Sequence, residues 1–216
     1  MSTEVQIPEV ATAQADYFGV FELPRKLNVD LARLEKEFYR LSRKLHPDLF
    51  VNHPVAEQER ALQMSSQLND AYRTLKDPVA RTQYLLSLEG VQLEEQSKAA
   101  TDRARATGEE KKQIVPPDLL EEVFDLNMQL QELKASGGQD PEIREQLEAA
   151  RKNFETRLET LGSELRQRWN DWDATLERNG NSQSAEREKA RDAMVDLLNR
   201  RSYIRNLVRD VNEALK

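Results

Sequence analysis

Two stretches of this chain place apolar residues alternately three and four positions apart. The first series is Leu31, Leu34, Phe38, Leu41 and Leu45; the second is Ala61, Met64, Leu68, Ala71 and Leu75. That spacing follows the turn of an α-helix and gathers the apolar side chains on one stripe. Pro47 and Pro54 bracket a short loop between the two. Matched stripes on a short connection predict an antiparallel helical hairpin. Seven Gly and eight Pro in 216 residues are too few for a loop-rich all-β chain. Leu, Ala, Glu, Gln, Lys and Arg are abundant, a helix-former composition, so the expected fold class is all-α.

The hairpin has helical neighbours. Asp16 is placed to cap a brief turn through Tyr17, Phe18 and Val20, which Leu23-Pro24 breaks. Asn28 or Asp30 can cap the helix that follows. Asp77-Pro78 offers a cap and a first-turn proline for a third helix, with Val79, Tyr84, Leu85 and Leu88 apolar and Gly90 at its end. From Glu94 to Gln113 there is no Val, Ile, Leu, Met, Phe, Trp or Tyr. That stretch reads as a solvated linker or an exposed helix extension.

Beyond Pro116-Pro117-Asp118, three more amphipathic stretches follow. Leu119, Val123, Leu126, Leu130 and Leu133 mark the first, which Gly137-Gly138 breaks. Asp140-Pro141 starts the second, with Ile143, Leu147, Phe154, Leu158, Leu165 and Trp172. Asn179-Gly180 is the turn into the third, with Ala193, Leu197, Ile204, Val208, Val211 and Leu215. Short connections argue for an antiparallel three-helix bundle. The expected organisation is a tail over 1–15, a first domain over 16–90, a linker over 91–115 and the bundle over 116–216.

Charge and residue types narrow the function. The net charge of −7 argues against a general nucleic-acid binder. Without cysteine there is no disulfide, thiolate metal site or Cys nucleophile, and two histidines make no His-rich metal site. No apolar run approaches the ~20 residues of a membrane span. The first fifteen residues carry two Glu and no Lys or Arg, unlike a signal or transit peptide. The expectation is a cytoplasmic protein with no metal and no cofactor. No Gly-rich phosphate loop or Ser-centred elbow is present.

The most informative spot is His46-Pro47-Asp48, directly after the first stripe. Between Leu31 and Leu45 lie Arg33, Lys36, Arg40, Arg43 and Lys44 against Glu35 and Glu37. A basic helix in an acidic protein steers toward an acidic partner. Asp48 suits a charge-assisted hydrogen bond to an arginine. Pro47 ends the helix and restricts the loop. The plain alternative is a helix-end histidine followed by a turn. His53 reads as a solvent-exposed loop residue.

Tyr17-Phe18-Gly19-Val20, the basic helix, His46-Pro47-Asp48 and Leu68-Asn69-Asp70-Ala71-Tyr72 together resemble a J domain over roughly 16–90. The run from Asp77-Pro78 through Arg81, Tyr84, Leu85 and Leu86 to Leu88 resembles the HscB-type co-chaperones of iron–sulfur cluster assembly. In that family a J domain is joined to a C-terminal three-helix bundle. The resemblance implies that His46, Pro47, Asp48, Arg40, Arg43 and Lys44 dock on an HscA-type ATPase chaperone and stimulate its ATP hydrolysis. Leu49 stands where members of the family often carry a lysine. The resemblance also implies that the bundle holds an IscU-like scaffold protein.

In the bundle, Leu120, Phe124 and Met128 fall one step around from the core stripe and are expected beside it, partly exposed. An exposed apolar patch marks a contact surface. These three, with Tyr203 beside Ile204 on the last helix, are the candidate scaffold-binding residues, although Glu121 falls where an apolar residue would be expected. The alternative is a wide-faced first helix with all of them in the core. Trp169 and Trp172 read as core or core edge. Two other functions fit parts of the sequence: a J-domain adaptor with a different client, and an enzyme using His46 and Asp48 as an acid–base pair.

Overall fold

The computed structural model describes residues 16–91, 93, 115–179 and 184–216. The expected tail over 1–15, the stretch from Glu94 to Gln113 and Gly180 lie outside them. Among the described residues all regular structure is helical. The α-helices in chain order are α1 (Tyr17–Val20), α2 (Leu31–Lys44), α3 (Val55–Lys76), α4 (Pro78–Leu88), α5 (Leu120–Ala135), α6 (Pro141–Asn179) and α7 (Ala185–Ala214). Short 3₁₀ turns cover Pro47–Phe50 and Pro117–Leu119.

The helix starts follow from local chemistry. The Asp16 carboxylate accepts from the Gly19 N–H at 2.8 Å. Asp30, the nearer of the two candidates, caps α2 by accepting from the Ala32 and Arg33 amides at 3.0 and 3.1 Å. Asp77 caps α4 through the Ala80 N–H at 2.7 Å. Each bond satisfies an amide that has no partner within the helix. Behind α5, Gly137 and Gly138 both adopt positive φ, and the Gly138 N–H donates to the Leu133 carbonyl at 2.8 Å. This left-handed turn closes the helix C-terminus at a place where a side chain would be strained.

The described residues divide into two compact units. The first draws on residues 16–91, 169–179 and 184–187, the second on 93, 115–168 and 188–216. Residues 169–179 and 184–187, which the sequence reading places in the bundle with the rest of 116–216, therefore pack in the first unit.

In the first unit, the second apolar series is buried at every position: Ala61, Met64, Leu68, Ala71 and Leu75. On α2 the buried positions are Leu34, Leu41 and Leu45, while Phe38 is half-buried and stacks on Tyr72 at 4.1 Å. Leu31 begins the helix and is exposed, so the buried stripe starts one turn later than its spacing implies. On α4 the face differs from the expected one. Arg81, Thr82, Leu85 and Leu86 are buried, and Val79, Tyr84 and Leu88 are half-buried.

The reason is Trp169. Its indole N–H donates to the Thr82 hydroxyl at 2.9 Å, and the Arg81 guanidinium lies 4.7 Å over its ring. Arg81 also donates to the Leu75 carbonyl at 2.6 Å. Burial lowers the guanidinium pKa; the nearby carboxylates of Asp77 and Asp173 oppose that shift. Polar residues are tolerated inside when paired in this way.

A buried carboxylate ties the same segment to the approach of α2. Asp173 accepts from the Leu27 and Asn28 backbone amides at 2.8 and 2.9 Å, and from the Asn28 side chain at 2.9 Å. Trp172 is fully buried, with the Arg187 guanidinium 4.7 Å over its ring; Arg187 donates to Glu89 at 2.7 Å. Trp169 and Trp172 are thus core residues of the first unit.

In the second unit, Leu119, Val123, Leu126 and Leu133 of the α5 region pack with Leu147 and Phe154 of α6 and with Tyr203, Ile204, Leu207 and Val211 of α7. Arg157 pairs with Glu122, and Arg200 with Asp118, each at 2.7 Å.

Candidate functional site

Two exposed surfaces stand out, one in each unit. The first begins with α2. Its buried stripe turns Arg33, Lys36, Arg40, Arg43 and Lys44 outward, and all five are exposed. Arg40 is held by Glu37 at 2.6 Å, which takes up much of its charge. Arg33, Lys36, Arg43 and Lys44 have no ion pair among the described residues. Arg43 and Lys44 fill the last turn, where the helix dipole favours cations.

The chain leaves α2 at Leu45. Pro47 disfavours a helical conformation at the residue before it, and His46 is extended at φ −63° and ψ 127°. The 3₁₀ turn then carries Asp48 outward and drives Phe50 into the core, where it is fully buried. The His46 and Asp48 side chains are 57% and 83% exposed. The Asp48 N–H points at His46 Nδ1 from 3.4 Å, and the Asp48 carboxylate lies 3.5 Å from the same nitrogen. These are long contacts. The loop therefore presents an imidazole and a carboxylate side by side, both open to a partner. Leu49 and Val51 beside them are also exposed. His53 is only half-buried and bonds Glu57 at 2.8 Å, so it is less open than a free loop histidine.

The structure thus brings His46, Pro47, Asp48, Arg43 and Lys44 together at one end of α2, with Arg40 a turn further back. Sequence reasoning missed Gln58, whose amide bonds the backbone of this loop, and Asp173, which holds the segment leading into α2. No spacing marks either residue: Gln58 acts on backbone, and Asp173 acts on backbone and on the Asn28 side chain some 145 positions away.

The second surface is on α5. Leu120, Phe124 and Met128 are 54%, 65% and 47% exposed and line one face at i, i+4 and i+8. Leu119, Val123 and Leu126 face the core instead, and Glu121 is exposed beside the patch. Tyr203 requires a correction. It is 4% exposed and packs in the core of the second unit with Ile204 and Leu207, so it is no part of an exposed patch. Burial pushes its hydroxyl pKa up. The buried face of α7 is wide enough to take both Tyr203 and Ile204.

With this geometry in place, the comparisons with known proteins are specific. The DnaJ domain family matches residues 16–84. Residues 16–84 are thus similar to a J domain. It is 33% identical over 127 residues to the Co-chaperone protein HscB homolog of Azoarcus sp. (strain BH72), a match covering 59% of this chain and 64% of that protein. It is 40% identical over 82 residues to the HscB of Buchnera aphidicola subsp. Acyrthosiphon pisum (strain 5A), covering 38% of this chain and 47% of that one. The matched stretches span less than two thirds of these relatives' own length.

Among solved structures, HscB from Vibrio cholerae aligns over 92% of this chain and 96% of its own, with a TM-score of 0.58 at 23% identity. Human HscB aligns over 96% of this chain and 84% of its own, with a TM-score of 0.59 at 22% identity. At these identities the likeness is one of fold, and it bears out a J domain followed by a helical C-terminal region. The HscB-type resemblance read from the motifs agrees with the names of these relatives. Among the described residues no helix is long and apolar enough to cross a membrane.

Proposed function

We propose that this protein is a non-enzymatic co-chaperone of the cytoplasm. It holds an iron–sulfur cluster scaffold protein, IscU-like, on the α5 face of its second unit. It delivers that client to an HscA-type ATPase chaperone. The observation that carries this reading is the exposed His46-Pro47-Asp48 loop at the end of the basic helix α2, in a chain similar to HscB co-chaperones. Arg43 and Lys44 steer an acidic surface of the chaperone toward the loop. Asp48 then accepts a charge-assisted hydrogen bond from an arginine on the partner, and His46 lies beside it. Docking changes the chaperone's own hydrolysis rate; the chemistry takes place in the chaperone.

Steady-state ATPase of an HscA-type chaperone, with and without this protein and with and without a scaffold protein, tests the proposal. Stimulation is expected, with synergy when the scaffold is present. His46→Gln is expected to abolish stimulation while leaving the melting temperature and scaffold binding unchanged, since the His46 side chain lies outside both cores. Stimulation that survives His46→Gln counts against the docking role. Stimulation without scaffold synergy favours a J-domain adaptor with a different client.

A further inference from the structure

The loop that presents His46 and Asp48 runs from residue 46 to residue 54 and packs against α3, where the His53 ring bonds Glu57 at 2.8 Å. Phe50 is buried beneath it. Two of its hydrogen bonds are internal: Leu49 N–H to the His46 carbonyl at 3.0 Å, and His53 N–H to the Phe50 carbonyl at 2.9 Å. Among the described residues, one side chain from outside the loop bonds its backbone. This is Gln58, in the first turns of α3. Its Nε2 donates to the Val51 carbonyl at 3.1 Å and to the His53 carbonyl at 2.8 Å.

A primary amide has two N–H groups, and both are used here. They bridge the carbonyls on either side of Asn52, so the second half of the loop is strapped to α3. Pro47 and Pro54 fix φ near the two ends. Phe50 anchors the middle from below and the His53 ring bonds Glu57, while the Gln58 amide holds the backbone on either side of Asn52.

We propose that Gln58 is a positioning residue for docking. It keeps the loop in the conformation that presents His46 and Asp48, so less ordering is left to be done when the chaperone arrives. This rests on the reading of the loop as the docking element. It assigns Gln58 no contact with the chaperone.

The test compares Gln58→Ala, Gln58→Glu and Gln58→Lys in the full chain. Two readouts are used: amide hydrogen exchange across 48–53, and ATPase stimulation titrated against an HscA-type chaperone. Gln58→Ala loses two modest hydrogen bonds. It is expected to speed exchange in the loop and raise the half-stimulating concentration by about five- to tenfold. Maximal stimulation should stay the same, because the docked loop offers the same groups. Gln58→Glu has no donor when ionised and adds a negative charge beside the basic surface, so it should lose at least as much as Gln58→Ala. Gln58→Lys keeps donors at a similar reach and should recover loop exchange to within about twofold; its added positive charge assists steering by itself, so loop exchange is the readout that decides for this variant.

Unchanged loop exchange in Gln58→Ala overturns the proposal. So does a lowered maximum at an unchanged half-stimulating concentration. If the wild-type protein stimulates and Gln58→Ala matches it, the strap alone falls. If the wild-type protein fails to stimulate, the docking reading falls and the strap's role with it.

Discussion

The two exposed surfaces are built on opposite physical terms. The loop surface in the first unit is charged and polar, and it depends on how a short piece of backbone is held. The α5 surface in the second unit is apolar, and its shape follows from the core behind it. Leu119, Val123 and Leu126 anchor α5, and the helix periodicity then turns Leu120, Phe124 and Met128 outward. A charged surface gives rate and selectivity at long range and is screened by salt. An apolar surface gives affinity in proportion to the area it buries and is largely indifferent to salt. One chain carrying both is equipped to meet two partners by different forces.

The sharpest way to break this contrast is at Tyr203. As a core residue, it should cost about 3–5 kcal/mol of stability when changed to Ala. Denaturant unfolding followed by circular dichroism measures that. A change within about 0.5 kcal/mol would return Tyr203 to the surface. Tyr203→Phe should leave scaffold affinity unchanged.

Next in size is the double variant Leu120→Ala, Phe124→Ala. It should weaken scaffold binding about ten- to a hundredfold by calorimetric titration, with scaffold-free ATPase stimulation intact. Full affinity in that variant would place the client elsewhere. The smallest effect comes from salt. Raising it from about 50 to about 300 mM should increase the half-stimulating concentration several-fold and move scaffold affinity by no more than about twofold. Equal salt sensitivity at both surfaces would erase the distinction drawn between them.

Much of the fold was legible where burial is one-sided and repetitive. All five stripe positions of α3 are buried because α1, α2 and α4 all pack against that helix. The caps at Asp16, Asp30 and Asp77 were readable because they act within three residues of themselves. Periodicity was a poor guide on α4. Its buried face includes Arg81 and Thr82, which are inside because Trp169, far along the chain, pairs with them.

Tyr203 shows a related limit. Apolar spacing locates a stripe but does not fix its width. The His46-Pro47-Asp48 loop was visible as a motif, and the pairing of Arg40 with Glu37 was not, since both residues read equally well as solvated charges. Asp173 and Gln58 left no trace in any pattern: Gln58 binds main chain, and the partners of Asp173 lie far away along the chain.

One feature of the first unit has a spectroscopic consequence. The chain has only two tryptophans, and both Trp169 and Trp172 are buried there, each beneath an arginine. Indole emission therefore reports the melting of the first unit and is nearly silent about the other. Far-ultraviolet dichroism, drawn from all the helices, reports both. Two superimposable melting curves would mean that the units unfold as one cooperative block; separated curves would give each its own transition, with no label or substitution needed.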